Sequence, residues 1–77
     1  MLSKNIKKLR KESELTQETL AHKAGVSYNA VIKIEQGIIT NPTLDTLTKL
    51  ADVFNVGLDE LVGRKVRVQR FIETRKN

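Results

Sequence analysis

The sequence contains no cysteine and a single histidine, His22. Without a thiol, neither a disulfide framework nor a thiolate metal site can form, and this absence fits a reducing compartment. His22 has no second imidazole with which to share a metal ion, so we expect an ordinary residue on a helix. The acidic residues form no recognisable catalytic pair, and no glycine-rich loop is present to hold a nucleotide. The sequence therefore predicts no enzymatic activity, no bound metal and no cofactor.

Long hydrophobic runs are also missing. No apolar stretch approaches the ~20 residues that a helix needs to span a bilayer. The N-terminal residues MLSKNIKKLRK interleave charged and apolar side chains, which is unlike the continuous apolar region of a secretory signal. The 77 residues suit one small domain, and no interaction with a membrane is predicted.

Positive charge is concentrated at the two ends of the chain, which has a formal net charge of +5. Residues 1–11 carry five basic residues and no acidic one, and residues 64–77 carry six basic residues and one acidic one. Residues 12–63 carry three basic and eight acidic residues. A basic protein attracts polyanions, although the same charge is compatible with a surface that is merely soluble. A membrane-active cationic peptide is disfavoured because the middle of the chain is acidic.

Hydrophobic periodicity predicts five short helices within residues 1–63 and hence a compact all-α domain. The first covers residues 2–13 with Ser3 as its N-cap, and Thr16 caps the second, which ends at Gly25. The third begins at Ser27 and closes at residues 35–37. The fourth, over residues 43–55, has the most regular apolar stripe: Leu44, Leu47, Leu50, Ala51 and Phe54.

The fifth helix is predicted to begin at Gly57, with Glu60 three residues later in a capping arrangement. Between the third and fourth helices, Ile38 and Ile39 lie in a loop, where they either pack beneath it or help a second subunit to dock. Beyond Gly63, Val66 and Val68 alternate with polar residues as in a short strand. Residues 64–77 therefore form either a disordered basic arm or an element that a second subunit completes.

The third predicted helix has two different faces when its residues are placed about 100° apart. One face should pack against the protein and comprises Ser27, Ala30, Val31 and Ile34. The other comprises Tyr28, Asn29, Ile32, Lys33 and Gln36. Its mixture of an aromatic ring, amides, an aliphatic chain and a cation suits base edges and phosphates better than a core. Ile32 either contacts a thymine methyl group or packs against a neighbouring element.

The residues LTQETLAHKAGVSYNAVIKIEQG (15–37), NPTLDTLTKLADVF (41–54) and LDELV (58–62) resemble the Cro and phage-repressor-like helix-turn-helix domains, also called the Xre family. The resemblance covers about residues 2–62. It implies the five-helix lambda-repressor-like fold, in which the second and third helices form the helix-turn-helix. It also implies an ion pair between Arg10 and Glu35.

The expected contacts with double-stranded DNA follow from the residue types together with this resemblance. Base-reading residues are expected to be Gln17, Ser27, Tyr28, Asn29, Ile32 and Lys33. Phosphate contacts are expected from Arg10, Thr16, Gln36, Thr40, Asn41 and Thr43. The exposed lysines of the first helix either contact the DNA backbone or are simply solvated.

The family resemblance implies a transcriptional regulator, expected to be a repressor, that binds a palindromic operator as a homodimer. It also implies a cytoplasmic protein of bacterial or phage origin that is associated with the nucleoid. An alternative is an antitoxin-type module that binds a protein partner, either a toxin or an antirepressor, and regulates its own operon. Residues 64–77 have no fixed counterpart in the family and would serve dimerisation or partner binding.

Overall fold

The computed structural model describes residues 2–63, which form five α-helices and no strand. The helices are α1 (Leu2–Glu12), α2 (Gln17–Ala24), α3 (Tyr28–Glu35), α4 (Leu44–Phe54) and α5 (Leu58–Val62). The predicted all-α fold is therefore confirmed. The predictions for residues 64–77, including the alternating valines, lie outside the described residues.

Hydroxyl side chains fix the starts of the three central helices. The Oγ1 of Thr16 accepts a hydrogen bond from the N–H of Thr19 at 3.0 Å and begins α2. Ser27 and Thr43 make the equivalent bonds at the starts of α3 and α4. Each such cap satisfies one of the N–H groups that the first helical turn leaves free and is worth about 1 kcal/mol.

One sequence-based prediction about helix ends is corrected, and another is confirmed. The first helix begins at Leu2, so Ser3 lies inside its first turn and is not an N-cap. Gly57 is the N-cap of α5, as predicted, and as a glycine it offers no side-chain acceptor for a cap bond. The end of α4 uses Asn55 in the left-handed region at φ +57°, a conformation that asparagine tolerates better than most residues.

One hydrophobic core joins all five helices. Its buried members are Ile6, Leu20, Ala21, Ala24, Val31, Ile34, Leu50, Ala51 and Leu61. Contrary to the prediction, Leu44 lies outside this core, because it is the first residue of α4 and is 67% exposed. The stripe that packs inward starts one turn later, at Leu47. Because α3 packs chiefly against α1 and α2, only one of its faces is used by the core.

A buried ion pair connects the first helix to the third. The Nε and Nη2 atoms of Arg10 donate to the two carboxylate oxygens of Glu35 at 2.6 and 3.0 Å. The Glu35 side chain is only 1% exposed and that of Arg10 13%. The hydrogen bond to Glu35 raises the pKa of Arg10 above its usual value, against the opposing effect of burial. Both side chains of the pair are largely removed from solvent.

A third bond from Arg10 fixes the turn that leads into α2. Its Nη1 atom donates to the backbone carbonyl of Leu15 at 2.9 Å, just before the Thr16 cap. In this turn Glu14 has φ +60°, a left-handed conformation in which its own N–H still reaches the carbonyl of Lys11. A single guanidinium therefore holds α1, the turn after it and the end of α3 in one arrangement.

We predict that Arg10→Met lowers the free energy of unfolding by about 3–5 kcal/mol, because it leaves a buried carboxylate without its cation. Replacing both partners, as Arg10→Met with Glu35→Met, should recover most of that loss, because no buried charge remains. Urea denaturation of the purified variants measures both values.

Lys49→Met provides the matched control, because it breaks the exposed Lys49–Asp45 pair of α4. Its effect should stay below about 0.5 kcal/mol, as for other exposed pairs four residues apart on a helix. An Arg10→Met variant as stable as Lys49→Met would show that the buried pair contributes little to the stability of the fold.

Candidate nucleic-acid interface

The outer face of α3 is left open by the fold. Tyr28 is 47% exposed, and Asn29, Lys33 and Gln36 are exposed as well. On the opposite face, Val31 and Ile34 are buried in the core. An aromatic ring, two amides and a cation thus project from a helix that is anchored along its other side.

Ile32 and Ser27 differ from the simple two-face pattern. Ile32 is half-buried, although Tyr28 and Lys33 on the same face of α3 are exposed, so its side chain protrudes less than theirs. Ser27, which periodicity assigned to the inner face, is exposed because it precedes the first turn and bonds through Oγ to the N–H of Ala30 at 3.3 Å. An exposed Ser27 remains compatible with the base contact predicted for it.

The turn between α2 and α3 sets the angle between these two helices. Gly25 lies in the left-handed region at φ +71°, and its N–H donates to the carbonyls of the last turn of α2. A Cβ added at Gly25 would meet no atom within 4 Å, so the glycine is required for its backbone conformation and not for space. The next residue, Val26, packs against the core and donates to the carbonyl of Ala21 at 3.0 Å.

Gln17 is the first residue of α2, where its side chain lies near free backbone N–H groups. Its Nε2 atom donates to Oε1 of Glu35 at 3.0 Å, and the residue is half-buried. The start of α2 is therefore linked to the end of α3 by the same carboxylate that holds Arg10. No sequence pattern indicated this bond, since it joins residues that are 18 positions apart.

The residues predicted to touch phosphate fall into two groups. Thr16, Gln36, Thr40, Asn41 and Thr43 are all exposed, either at helix ends or in the loop after α3. Arg10 is different, and the prediction for it is corrected: its Nε, Nη1 and Nη2 atoms are bonded within the protein, and little of the side chain reaches solvent. The structure places Arg10 in the ion pair and not on the surface.

The two isoleucines of the loop after α3 have different environments; the sequence allowed them either to pack beneath the loop or to help a second subunit dock. The N–H groups of Ile38 and Ile39 both donate to the carbonyl of Lys33, at 2.9 and 3.1 Å. Ile39 packs against the core, whereas Ile38 is 65% exposed. The loop therefore leaves α3 by a tight turn and presents the neighbouring Thr40 and Asn41 to solvent.

Among residues 2–63, no group of histidine, cysteine and acidic side chains is arranged to hold a metal ion. His22 is exposed on α2, as the sequence predicts. Within the same range, none of the helices has the length and apolar character needed to cross a membrane.

Comparison with known proteins places this geometry in a family. Residues 6–61 match the helix-turn-helix family. The transcriptional regulator SinR of Bacillus subtilis is 35% identical over 65 residues, which cover 84% of this chain and 59% of SinR. The cryptic phage CTXphi transcriptional repressor RstR of Vibrio cholerae is 40% identical over 63 residues, 82% of this chain and 56% of RstR.

The antitoxin PezA of Streptococcus pneumoniae is also similar, with 39% identity over 67 residues that cover 82% of this chain and 39% of PezA. The chain thus spans between about two fifths and three fifths of the length of these relatives.

The crystal structure of SinR in complex with DNA superimposes with a TM-score of 0.78 at 35% identity, covering 80% of this chain and 98% of that one. The shared helices, the capped turn at Gly25 and a family match over most of the described residues agree with one another. This chain belongs to the Cro/Xre-like helix-turn-helix family.

Proposed function

We propose that this chain is a sequence-specific DNA-binding regulator of transcription that acts as a repressor. The observation that carries the proposal is the outer face of α3, which is exposed and bears residue types that recognise base edges, on a helix whose inner face is fixed in the core. An α-helix of this kind fits the major groove of B-DNA, where every base pair has a distinct pattern of donors and acceptors.

Each exposed side chain of α3 has a suitable partner in the major groove. The amide of Asn29 can bond to N6 and N7 of adenine together, and Lys33 can donate to the acceptors of guanine or to a phosphate. Tyr28 can stack or donate its hydroxyl group. The half-buried Ile32 offers an apolar contact for a thymine methyl group. Tyr28 and Asn29 lie at the start of the helix and so would reach deepest into the groove.

Attraction to the phosphates would come from outside the reading helix, because Lys33 is the one basic residue of α3. The starts of α2 and α4 carry free N–H groups and the positive end of the helix dipole, at Thr16 and Thr43. The exposed lysines of α1 and the basic residues 64–77 add long-range charge. Gln36, Thr40 and Asn41 would complete the phosphate contacts.

We further propose that two copies bind a palindromic operator as a homodimer in the cytoplasm. Two reading helices related by a two-fold axis would enter successive major grooves about one helical turn apart. The similarity to SinR, whose structure was determined in complex with DNA, supports the DNA-binding part of this proposal.

A second function, antitoxin-type binding of a protein partner, is favoured by the similarity to PezA. The two functions are compatible, because one surface can bind DNA while another holds a partner. Residues 64–77 follow the part of the chain that matches the family and are the segment we would assign to the partner or to dimerisation.

Binding to a selected operator should depend steeply on salt. If the complex makes about six phosphate contacts, its affinity should fall roughly a thousandfold between about 50 and 200 mM salt, because counterions are released on binding. Selection from random DNA followed by titration at several salt concentrations measures this slope. Equal affinity for the selected sequence and for unrelated DNA at every salt concentration would refute sequence-specific binding.

Asn29→Ala should weaken operator binding by about 1–3 kcal/mol and relax the preference at one base pair, because the bidentate amide is lost. Lys33→Ala should weaken binding, with a reduced salt slope if Lys33 contacts a phosphate. Lys49→Ala on α4 removes the same charge away from α3 and serves as the matched control in the same titration. Base preferences that are unchanged in Asn29→Ala would exclude this residue from base reading.

Removing residues 64–77 should leave the domain folded, since the core within residues 2–63 already joins all five helices. If these residues support dimerisation, the shortened chain should be monomeric by light scattering and bind the operator weakly. A dimer that still binds the operator would instead favour a partner-binding role for the segment.

A further inference from the structure

The carboxylate of Glu35 is shared between a structural partner and a residue of the proposed interface. Its Oε2 accepts from Nε of Arg10 at 2.6 Å. Its Oε1 accepts both from Nη2 of Arg10 and from Nε2 of Gln17, each at 3.0 Å. The hydrogen bonds of the buried ion pair therefore extend to Gln17, which is the first residue of α2 and is only half-buried.

The chemistry of this carboxylate allows only one orientation of the glutamine amide. An ionised carboxylate accepts hydrogen bonds and cannot donate them. The guanidinium of Arg10, which donates to both oxygens of this carboxylate, likewise offers Gln17 no acceptor. A free glutamine amide can turn over, since its last torsion has two similar minima. Against Glu35, only the orientation with Nε2 towards the carboxylate forms a bond, and the carbonyl oxygen is directed away.

We propose that Glu35 is a positioning residue that holds Gln17 with its carbonyl oxygen available as an acceptor for an exocyclic amino group of a DNA base. This inference rests on the proposed function and specifies one contact within it. In the major groove, the amino groups are N6 of adenine and N4 of cytosine. Adenine fits best, because N7 beside its amino group can accept the remaining N–H of Gln17.

The orientation also separates base reading from phosphate binding. Phosphate oxygens only accept hydrogen bonds, so an outward carbonyl oxygen would repel them and leave the remaining N–H of Gln17 as its single donor to the DNA backbone. A glutamine that was free to turn would offer its whole NH2 group to a phosphate and carry no sequence information. By holding one N–H, Glu35 favours a base with a donor over the DNA backbone as the partner of Gln17.

Glu35→Gln tests this directly because it can reverse the orientation. The shorter of the two Arg10 bonds, from Nε to Oε2, should hold the carbonyl oxygen of the new amide, so that its NH2 group would stand where Oε1 now accepts from Nη2 of Arg10 and from Gln17. Gln17 would then turn its own carbonyl inward and its NH2 group outward. The base preferred at that position should change from adenine or cytosine to guanine or thymine, whose O6 and O4 atoms accept.

The experiment is selection of DNA from a random pool by the full chain, its Glu35→Gln variant and its Gln17→Ala variant. Gln17→Ala should reduce the preference for one base at one position of the selected DNA by roughly 5- to 150-fold. Glu35→Gln should change the preferred base at that position and at no other. Lys49→Ala, an exposed change on α4 outside the proposed interface, should leave that position unchanged. Leu61→Ala, which destabilises the core at α5, controls for lost stability and should also keep the preference.

The same base preferences in Glu35→Gln as in the unaltered chain would overturn the inference. If the unaltered chain selects no sequence at all, the proposed function fails, and the DNA contact assigned to Gln17 fails with it. These two failures are distinguished by whether the unaltered chain selects an operator.

A measurement without DNA tests the positioning itself and does not depend on whether a variant folds. In the NMR spectrum of the unaltered chain, the side-chain amide protons of Gln17 should exchange with solvent more slowly than those of Gln36, and its amide group should be more rigid. Exchange and mobility equal to those of Gln36 would show that Glu35 does not hold Gln17, and the inference would be wrong.

Discussion

The domain depends on one buried negative charge, the carboxylate of Glu35. Removing an ion from water is strongly unfavourable, and this penalty is offset only when a partner of opposite charge and enough donors surround the ion. Arg10 supplies two bonds and Gln17 a third. In the described part of the chain, no buried side-chain nitrogen or oxygen lacks a hydrogen-bonding partner. The charge can be satisfied only when α1, α2 and α3 are in their native arrangement.

This requirement explains how a small domain can hold α3 in a fixed orientation. Apolar packing along α3 depends on Val31 and Ile34 and is not directional. The ion pair adds direction, because a guanidinium meets a carboxylate in a planar, two-bond geometry. The cap at Ser27 fixes the start of α3, and Glu35 fixes its end. The outer face between them is exposed on a helix that is held at both ends.

The features that could be predicted from the sequence are those whose causes are local. The caps at Thr16 and Ser27 and the left-handed Gly25 follow from the chemistry of one turn, and the structure has all three. The prediction for Ser3 was wrong, because α1 already begins at the preceding residue and a cap must stand outside the helix. The prediction for Leu44 was wrong, because periodicity identifies the face of a residue but not how far the covering helices extend.

The bond between Gln17 and Glu35 could not be predicted, because it depends on the angle between two helices, which no sequence spacing fixes. The family resemblance implied Arg10 as the partner of Glu35 but did not indicate Gln17. The fold was therefore largely predictable, whereas the site was predictable in its residue types but not in their mutual orientation. Base recognition depends on that orientation, since acceptors and donors on one amide read different bases.

The central claim is that the outer face of α3 reads DNA. The most direct measurement is a map of backbone amide shifts by NMR while the chain is titrated with its selected DNA duplex and, separately, with an unrelated duplex of equal length. We predict that the selected duplex changes the amide chemical shifts of residues in α3 and at the start of α2. The unrelated duplex should change the chemical shifts of α3 far less. Equal shifts with both duplexes, or an α3 that is unaffected by the selected one, would contradict the claim.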